Sequence, residues 1–215
     1  MKVFKYFSSL LTAFLFLMFF ACSSSSSGDD GSSSSTPAVY SSTSLEAVSI
    51  STAAGKTFTC NLNSGVLIFI FNASGTGGTL TLSDGTSAGT FTYDGTVLII
   101  TPTSGATQTY HLDIANNIYY LTIHYLAKED GSSGLYGKWV NATSNPLLQP
   151  YAKLYDNGTW TNATYESQGY SVMGTWTCNN GIINMKDLDG EPTIASDHII
   201  YDGSRIYIAY TLTVS

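Results

Sequence analysis

From about Leu45 to the C-terminus, hydrophobic and polar residues alternate with a period of two. The clearest runs are GTLTLS, GTFTY, TVLIIT, IYYLTIHYL and RIYIAYTLTV, at 78–83, 89–93, 96–101, 118–126 and 205–214. Such alternation is typical of β-strands with one buried face, because successive side chains of a strand point to opposite faces. Helical periodicity over about 11 residues or more is confined to the N-terminal segment. The pattern therefore predicts an all-β fold.

Short turn signals separate these runs. Asn-Gly and Asp-Gly pairs occur at 84–85, 94–95, 157–158, 180–181, 189–190 and 202–203. Both residues of such pairs tolerate the positive φ angles that two-residue hairpin turns require. The spacing is close to the roughly 8–12 residues expected between the strands of a sandwich or barrel. We therefore expect an antiparallel meander that forms a β-barrel or a barrel-like sandwich.

The predicted strands fall into two internal repeats. Five blocks recur in the same order, with an offset of 82 residues at the first block and 88 at the last. The pairs of blocks are 55–58 with 137–139, 71–76 with 154–159, 88–93 with 173–178, 110–112 with 197–199, and 118–120 with 206–208. A polar Gly/Ser link at 128–134 separates them. The predicted units are 45–127 and 135–215, and they form either one shared barrel or two separate β domains.

The N-terminal segment has a different character. Lys2 and Lys5 precede a 15-residue apolar run that ends at Phe20, and residues 23–37 are almost entirely Ser, Gly and Asp. A short basic region followed by such a run indicates a secretory signal peptide, since a membrane-spanning helix needs about 20 apolar residues. We assign 1–21 to the signal peptide and 22–37 to a flexible tether.

The end of this segment, Phe19-Phe20-Ala21-Cys22, resembles the lipobox of bacterial lipoproteins. The resemblance implies cleavage before Cys22 and acylation of that cysteine, with palmitate among the acyl groups, so that the lipid bilayer is a partner. It also implies a location in the bacterial cell envelope, with the protein anchored to the outer membrane and facing the periplasm or the surface. Two acyl signals are enough for stable anchoring.

The second unit resembles the small lipocalin-like domains of bacterial envelope lipoproteins. The resemblance is carried by Gly137-Lys138-Trp139, Asp156-Asn157-Gly158-Thr159-Trp160 and Gly174-Thr175-Trp176. In the first unit Phe58, Phe71 and Phe91 take aromatic positions of the same pattern. The resemblance implies a meander closing toward a barrel, with a binding or scaffold role and no catalytic one.

Charge is scarce in this chain. Only 11% of the residues are charged, against about 25% in an average soluble domain. Nucleic acid is therefore not an expected partner, since its phosphates demand a basic surface. Loss of Lys2 and Lys5 with the signal peptide changes the net charge from −7 to −9.

Few residues suggest chemistry. Cys60 and Cys178 either form a disulfide or remain as two separate buried thiols. Trp139, Trp160 and Trp176 either line a cavity or sugar-stacking face, or fill the core of a small barrel. His111, His124 and His198 do not have metal-ligand spacing, and no Gly-x-Ser-x-Gly motif occurs.

These observations predict a non-enzymatic binding module without metal or cofactor. Its partner would be a small apolar molecule, a glycan or another envelope protein. The alternative is a structural, surface-coat or adhesion lipoprotein without a ligand cavity.

Overall fold

The computed structural model describes residues 40–62, 65–142, 151–193 and 199–215. Within these residues the chain forms fifteen strands and two short helices. The strands of the first unit are β1 Glu46–Ala47, β2 Thr57–Leu62, β3 Gly65–Phe71, β4 Gly77–Leu82, β5 Ser87–Tyr93, β6 Val97–Pro102, β7 Gln108–Ala115 and β8 Ile118–Lys128. Those of the second are β9 Gly137–Asn141, β10 Tyr151–Leu154, β11 Thr159–Asn162, β12 Gly174–Asn179, β13 Ile182–Asp187, β14 Ile199–Tyr201 and β15 Arg205–Val214. The helices are α1 Ile50–Ala53 and α2 Ala163–Ser167.

The strand pairings close two antiparallel rings of eight strands. Strands β2 to β8 pair in succession, and β15 closes this ring by pairing with both β8 and β2. Strands β8 to β15 also pair in succession, and the same β8–β15 pairing closes the second ring. We call the two rings barrel 1 and barrel 2. The predicted all-β, antiparallel barrel class is thereby confirmed.

The long strands β8 and β15 belong to both barrels. The first half of β8 pairs with β7, and residues Leu126 to Lys128 pair with β9. Likewise, β15 pairs with β14 near its start and with β2 near its end. A register shift in the β8–β15 pairing, between Ile208 and Ala209, marks the transition from one barrel to the other, and such bulges bend a strand.

The repeat blocks of the sequence occupy equivalent strands. The blocks at 55–58 and 137–139 lie on β2 and β9, those at 88–93 and 173–178 on β5 and β12, and those at 118–120 and 206–208 on β8 and β15. Each unit thus supplies seven strands to its own barrel, and the last of these strands, β8 or β15, is also part of the other barrel. The outcome is neither one shared barrel nor two separate domains, but two barrels fused through a common pair of strands.

Each barrel has its own core. The core of barrel 1 is rich in aromatic rings that contact one another edge to face, with centroids 4.7 Å apart for Phe71 and Phe91 and 5.4 Å for Phe58 and Phe71. The core of barrel 2 contains the three tryptophans together with Leu135, Ile183 and Ile206. A small third cluster, formed by Ala115, Tyr120, Ile200 and Ala209, lies on the outer faces where the barrels meet.

The segment from Tyr40 to Ala53 contacts both barrels, and we call it the strap. Tyr40 packs against Trp176 of barrel 2, and the backbone N–H of Thr43 donates to the carbonyl of Tyr201. Further on, β1 pairs with β7, and Val48 is buried in the core of barrel 1. The strap ends in α1, whose first residue touches the glycine turns at Gly75 and Gly95. It therefore ties the two barrels together across their junction.

Neither α1 nor α2, the helices of the described residues, is long and apolar enough to cross a membrane.

Candidate functional site

The three tryptophans are core residues of barrel 2. Trp139, Trp160 and Trp176 are 1%, 4% and 3% exposed. Each indole N–H donates to a backbone carbonyl of the same barrel: Trp139 to Leu135, Trp160 to Lys186 and Trp176 to Tyr155, at 2.8, 2.9 and 3.1 Å. Rings this buried offer no sugar-stacking face to solvent. Of the two interpretations drawn from the sequence, the filled core describes their placement.

The two cysteines of the barrels are free thiols in separate places. Cys60 is fully buried in the core of barrel 1, where burial raises its pKa to about 12. Cys178 is half-buried beside the core of barrel 2, and burial raises its pKa as well. The structure thus contains no Cys60–Cys178 bridge, because alternation directs the two side chains into different barrels. Cys22, the predicted lipidation site, and His198 lie outside the described residues.

No group of His, Cys, Asp and Glu within the described ranges is arranged to hold a metal ion. The acidic hairpin after β13 hydrogen-bonds to itself: an Asp187 carboxylate oxygen accepts from the N–H groups of Asp189 and Glu191. These are the bonds of an ordinary turn.

A buried carboxyl group lies on the outer face of β7, at the junction of the barrels. Asp113 is 9% exposed and accepts a 2.6 Å hydrogen bond from the hydroxyl of Thr122 on β8. Burial raises the pKa of Asp113, while the Thr122 hydrogen bond and the charge of His111 oppose that rise. In the β1–β7 pairing, Asp113 is the cross-strand partner of Ala47 in the strap.

Barrel 2 carries a belt of tyrosines and lysines on the outer faces of β9 and β10. The Tyr–Lys belt comprises Lys138, Tyr151, Lys153 and Tyr155, whereas Tyr136 packs against Trp176 at the edge of the barrel 2 core. The ammonium of Lys138 lies 4.3 Å from the ring centroid of Tyr151, and that of Lys153 lies 5.2 Å from that of Tyr155. All four belt side chains are partly exposed. The register of the strands creates the belt, since Lys138 is the direct cross-strand partner of Lys153.

Two glutamates balance the charge of the belt. Glu129 pairs with Lys138 at 2.8 Å, and Glu166 of α2 lies 3.6 Å from Lys153. Glu166 also accepts a hydrogen bond from the Tyr151 hydroxyl. That bond lowers the pKa of Glu166, with a further contribution from the charge of Lys153. The same bond raises the pKa of Tyr151. The belt therefore combines amphipathic rings with balanced positive and negative charges.

Barrel 1 has an outer surface of the opposite character. None of the strands β2 to β6 contains Asp, Glu, Lys or Arg. Their outward positions are mostly Thr and Ile, and Ile70 and Ile99 are 42% and 40% exposed. We call this surface the uncharged wall, formed by Thr57, Thr59, Ile68, Ile70, Thr79, Thr81, Thr90, Thr92, Ile99 and Thr101.

Strand register orders the uncharged wall into rows. One row crosses five strands, because consecutive cross-strand partners are Thr57, Ile70, Thr79, Thr90 and Thr101. Sheet geometry spaces neighbours in a row by about 4.8 Å and successive rows by about 6.6 Å. The wall is thus a regular array of hydroxyl and methyl groups. The repeated Thr-x-Thr triplets were visible in the sequence, but their alignment depends on register.

Comparisons with protein-family models, with curated proteins and with solved structures found no match for this chain.

Proposed function

We propose that this protein is a lipid-anchored bacterial envelope protein that works as a non-enzymatic binding module through the uncharged wall of barrel 1. The absence of charged residues from the five adjacent strands β2 to β6 carries the proposal. Removing a charge from water is costly unless the charge is paired. A partner that covers this wall removes no charged side chain of strands β2 to β6 from water. An uncharged glycan, which presents hydroxyl and CH groups, has matching chemistry.

The filled interiors support an outer site over an inner one. The aromatic rings of barrel 1 contact one another, and the indole N–H groups of barrel 2 are already hydrogen-bonded. A small apolar ligand inside either barrel would have to displace these contacts. We therefore favour a glycan or the uncharged surface of an envelope protein over an internal apolar molecule.

The binding test uses calorimetric titration of the full chain with a panel of uncharged oligosaccharides, alongside an anionic polysaccharide. Thr90→Lys places a charge in the middle of the wall, and we expect it to weaken binding at least about tenfold, in line with the cost of about 1.4 kcal/mol or more for an unmatched charge at an interface. Thr175→Lys is the matched control, since Thr175 is exposed on β12 of barrel 2. An equal loss of affinity in both variants would show that the binding site is not the uncharged wall.

The anchor is tested by incorporation of radiolabelled palmitate in bacterial cells. We expect label in the wild-type protein and in Cys60→Ser, and none in Cys22→Ala. An unlabelled wild-type protein would contradict the lipoprotein assignment.

A structural or surface-coat role is the second candidate. The buried hydrophobic cores of both barrels favour it, because a coat protein needs no ligand cavity. Failure of every member of the glycan panel, together with isolation from the envelope free of any bound molecule, would favour this role.

A further inference from the structure

We propose that the Tyr–Lys belt of barrel 2 rests on the bilayer that carries the lipid anchor, so that barrel 1 points away from the membrane. This inference rests on the proposed lipidation of Cys22. It adds a defined orientation and a second contact, between protein side chains and lipid headgroups.

The first argument is the place where the predicted tether joins the folded part. The ring centroid of Tyr40 lies 5.7 Å from that of Tyr136 and 5.4 Å from that of Trp176. The hydroxyl oxygens of Tyr40 and Tyr136 are 3.1 Å apart. Tyr136 immediately precedes β9 and lies two residues before Lys138 of the belt. The chain coming from Cys22 therefore reaches barrel 2 at one end of the belt.

The second argument is the length of the chain between Cys22 and Tyr40. If this Ser/Gly-rich stretch is the flexible tether that the sequence predicts, its 18 steps would have a root-mean-square span of about 23 Å. A link of that size holds the belt near the bilayer at an effective concentration in the millimolar range. A weak intrinsic affinity of the belt for lipid is then enough to keep it in contact.

The third argument is the chemistry of the belt. Tyrosine is enriched where one end of the ring meets apolar groups and the other meets water, as at membrane interfaces. Lys138 and Lys153 offer cations to headgroup phosphates, while Glu129 and Glu166 offer anions to headgroup amines. This balance suits a zwitterionic bilayer, whereas a protein with a net charge of −9 after signal cleavage would be repelled by a strongly anionic one.

Lysine acetylation tests the orientation on the full acylated protein. The protein is reconstituted in vesicles of phosphatidylethanolamine and phosphatidylcholine and treated briefly with an acetylating reagent, and each lysine is read by peptide mass spectrometry. Lys186 and Lys56 are exposed controls: Lys186 lies on β13, across barrel 2 from the belt, and Lys56 precedes β2 of barrel 1. The Cys22→Ala protein without vesicles supplies the reference rates.

We expect acetylation of Lys138 and Lys153 to slow at least about fivefold on vesicles relative to that reference, with Lys186 and Lys56 unchanged within about twofold, as full coverage of a half-exposed side chain implies. Equal rates at all four lysines, or protection of Lys186 alone, would overturn the orientation. Protection of the belt in native envelopes but not in pure lipid vesicles would also overturn it, because the covering partner would then be a protein or glycan. The mass of the N-terminal peptide reports acylation separately, so failure of the anchor and failure of the orientation are distinguishable.

Discussion

At the scale of single residues, the tryptophans show how a small barrel uses aromatic side chains. Trp139 sits on an inward position of β9, and its one polar atom is matched by the carbonyl of Leu135. The same ring fills the core and has its N–H hydrogen-bonded, so Trp139 stabilises barrel 2.

Trp139→Ala is expected to lower the free energy of unfolding by about 3–5 kcal/mol, as large-to-small substitutions of buried aromatic residues do. Tyr170→Ala, at a position that is 47% exposed, should cost less than about 1 kcal/mol. Urea denaturation followed by circular dichroism measures both values. Similar small losses in the two variants would contradict the buried placement of Trp139.

Because of Asp113, we expect the free energy of unfolding to depend on pH. Its folded-state pKa lies above the ordinary 3.8 because of burial, so its contribution to stability is greatest below that value and is lost as the pH rises through the folded pKa. The amide introduced by Asp113→Asn cannot titrate and still accepts the Thr122 hydrogen bond. The free energy of unfolding of the wild type minus that of the variant should therefore fall as the pH rises from below 3.8 through the folded pKa of Asp113.

Asp84→Asn is the control of opposite sign. Hydrogen bonds from Thr86 lower the pKa of Asp84 below 3.8. The free energy of unfolding of the wild type minus that of Asp84→Asn should therefore fall as the pH falls through the folded pKa of Asp84. Urea denaturation across this pH range measures both. A wild-type advantage over Asp113→Asn that grows with pH would contradict the assignment.

At the scale of elements, the strap and α1 show how a short segment is positioned by its contacts. Four helical residues are too few to be stable alone, and α1 is held between the turns at Gly75 and Gly95. A Cβ at Gly75 would collide with the Ile50 carbonyl oxygen, whereas one at Gly85 would meet open space.

Gly75→Ala and Gly85→Ala separate this contact from backbone strain. Both glycines have positive φ, at 73° and 80°, so each substitution carries a strain of about 1–2 kcal/mol. Displacement of α1 should add about 1–3 kcal/mol for Gly75→Ala alone, the usual cost of overpacking. Thermal and urea unfolding measure the difference, and equal losses would show that α1 does not pack against this turn.

The elements also show what sequence patterns can predict. Alternation and Asx-Gly turns identified most strands, and the repeat blocks fell on equivalent strands of the two barrels. The sharing of β8 and β15 was not predictable, because a strand's distant partners depend on register and not on local pattern. The Tyr–Lys belt was missed for the same reason: Lys138 and Lys153 become neighbours only through the β9–β10 pairing. The sequence left open whether Cys60 and Cys178 form a disulfide, and the structure has them as free thiols, with Cys60 buried and Cys178 half-buried.

At the scale of the whole molecule, the shared strands make the two barrels mechanically dependent. Separation of β8 from β15 opens both rings, since the β8–β15 pairing closes each of them. The proposed orientation relies on this coupling, because the shared strands β8 and β15 are what would fix the direction of the uncharged wall relative to the Tyr–Lys belt.

The most direct test of this account compares the unfolding of the two barrels in one urea titration. All three tryptophans lie in barrel 2 and report its unfolding by fluorescence. In the Cys22→Ala, Cys178→Ser protein, Cys60 is the single remaining thiol, and its reactivity reports the opening of barrel 1. The shared strands predict one common midpoint for both signals. Two separate midpoints would contradict the fused double barrel.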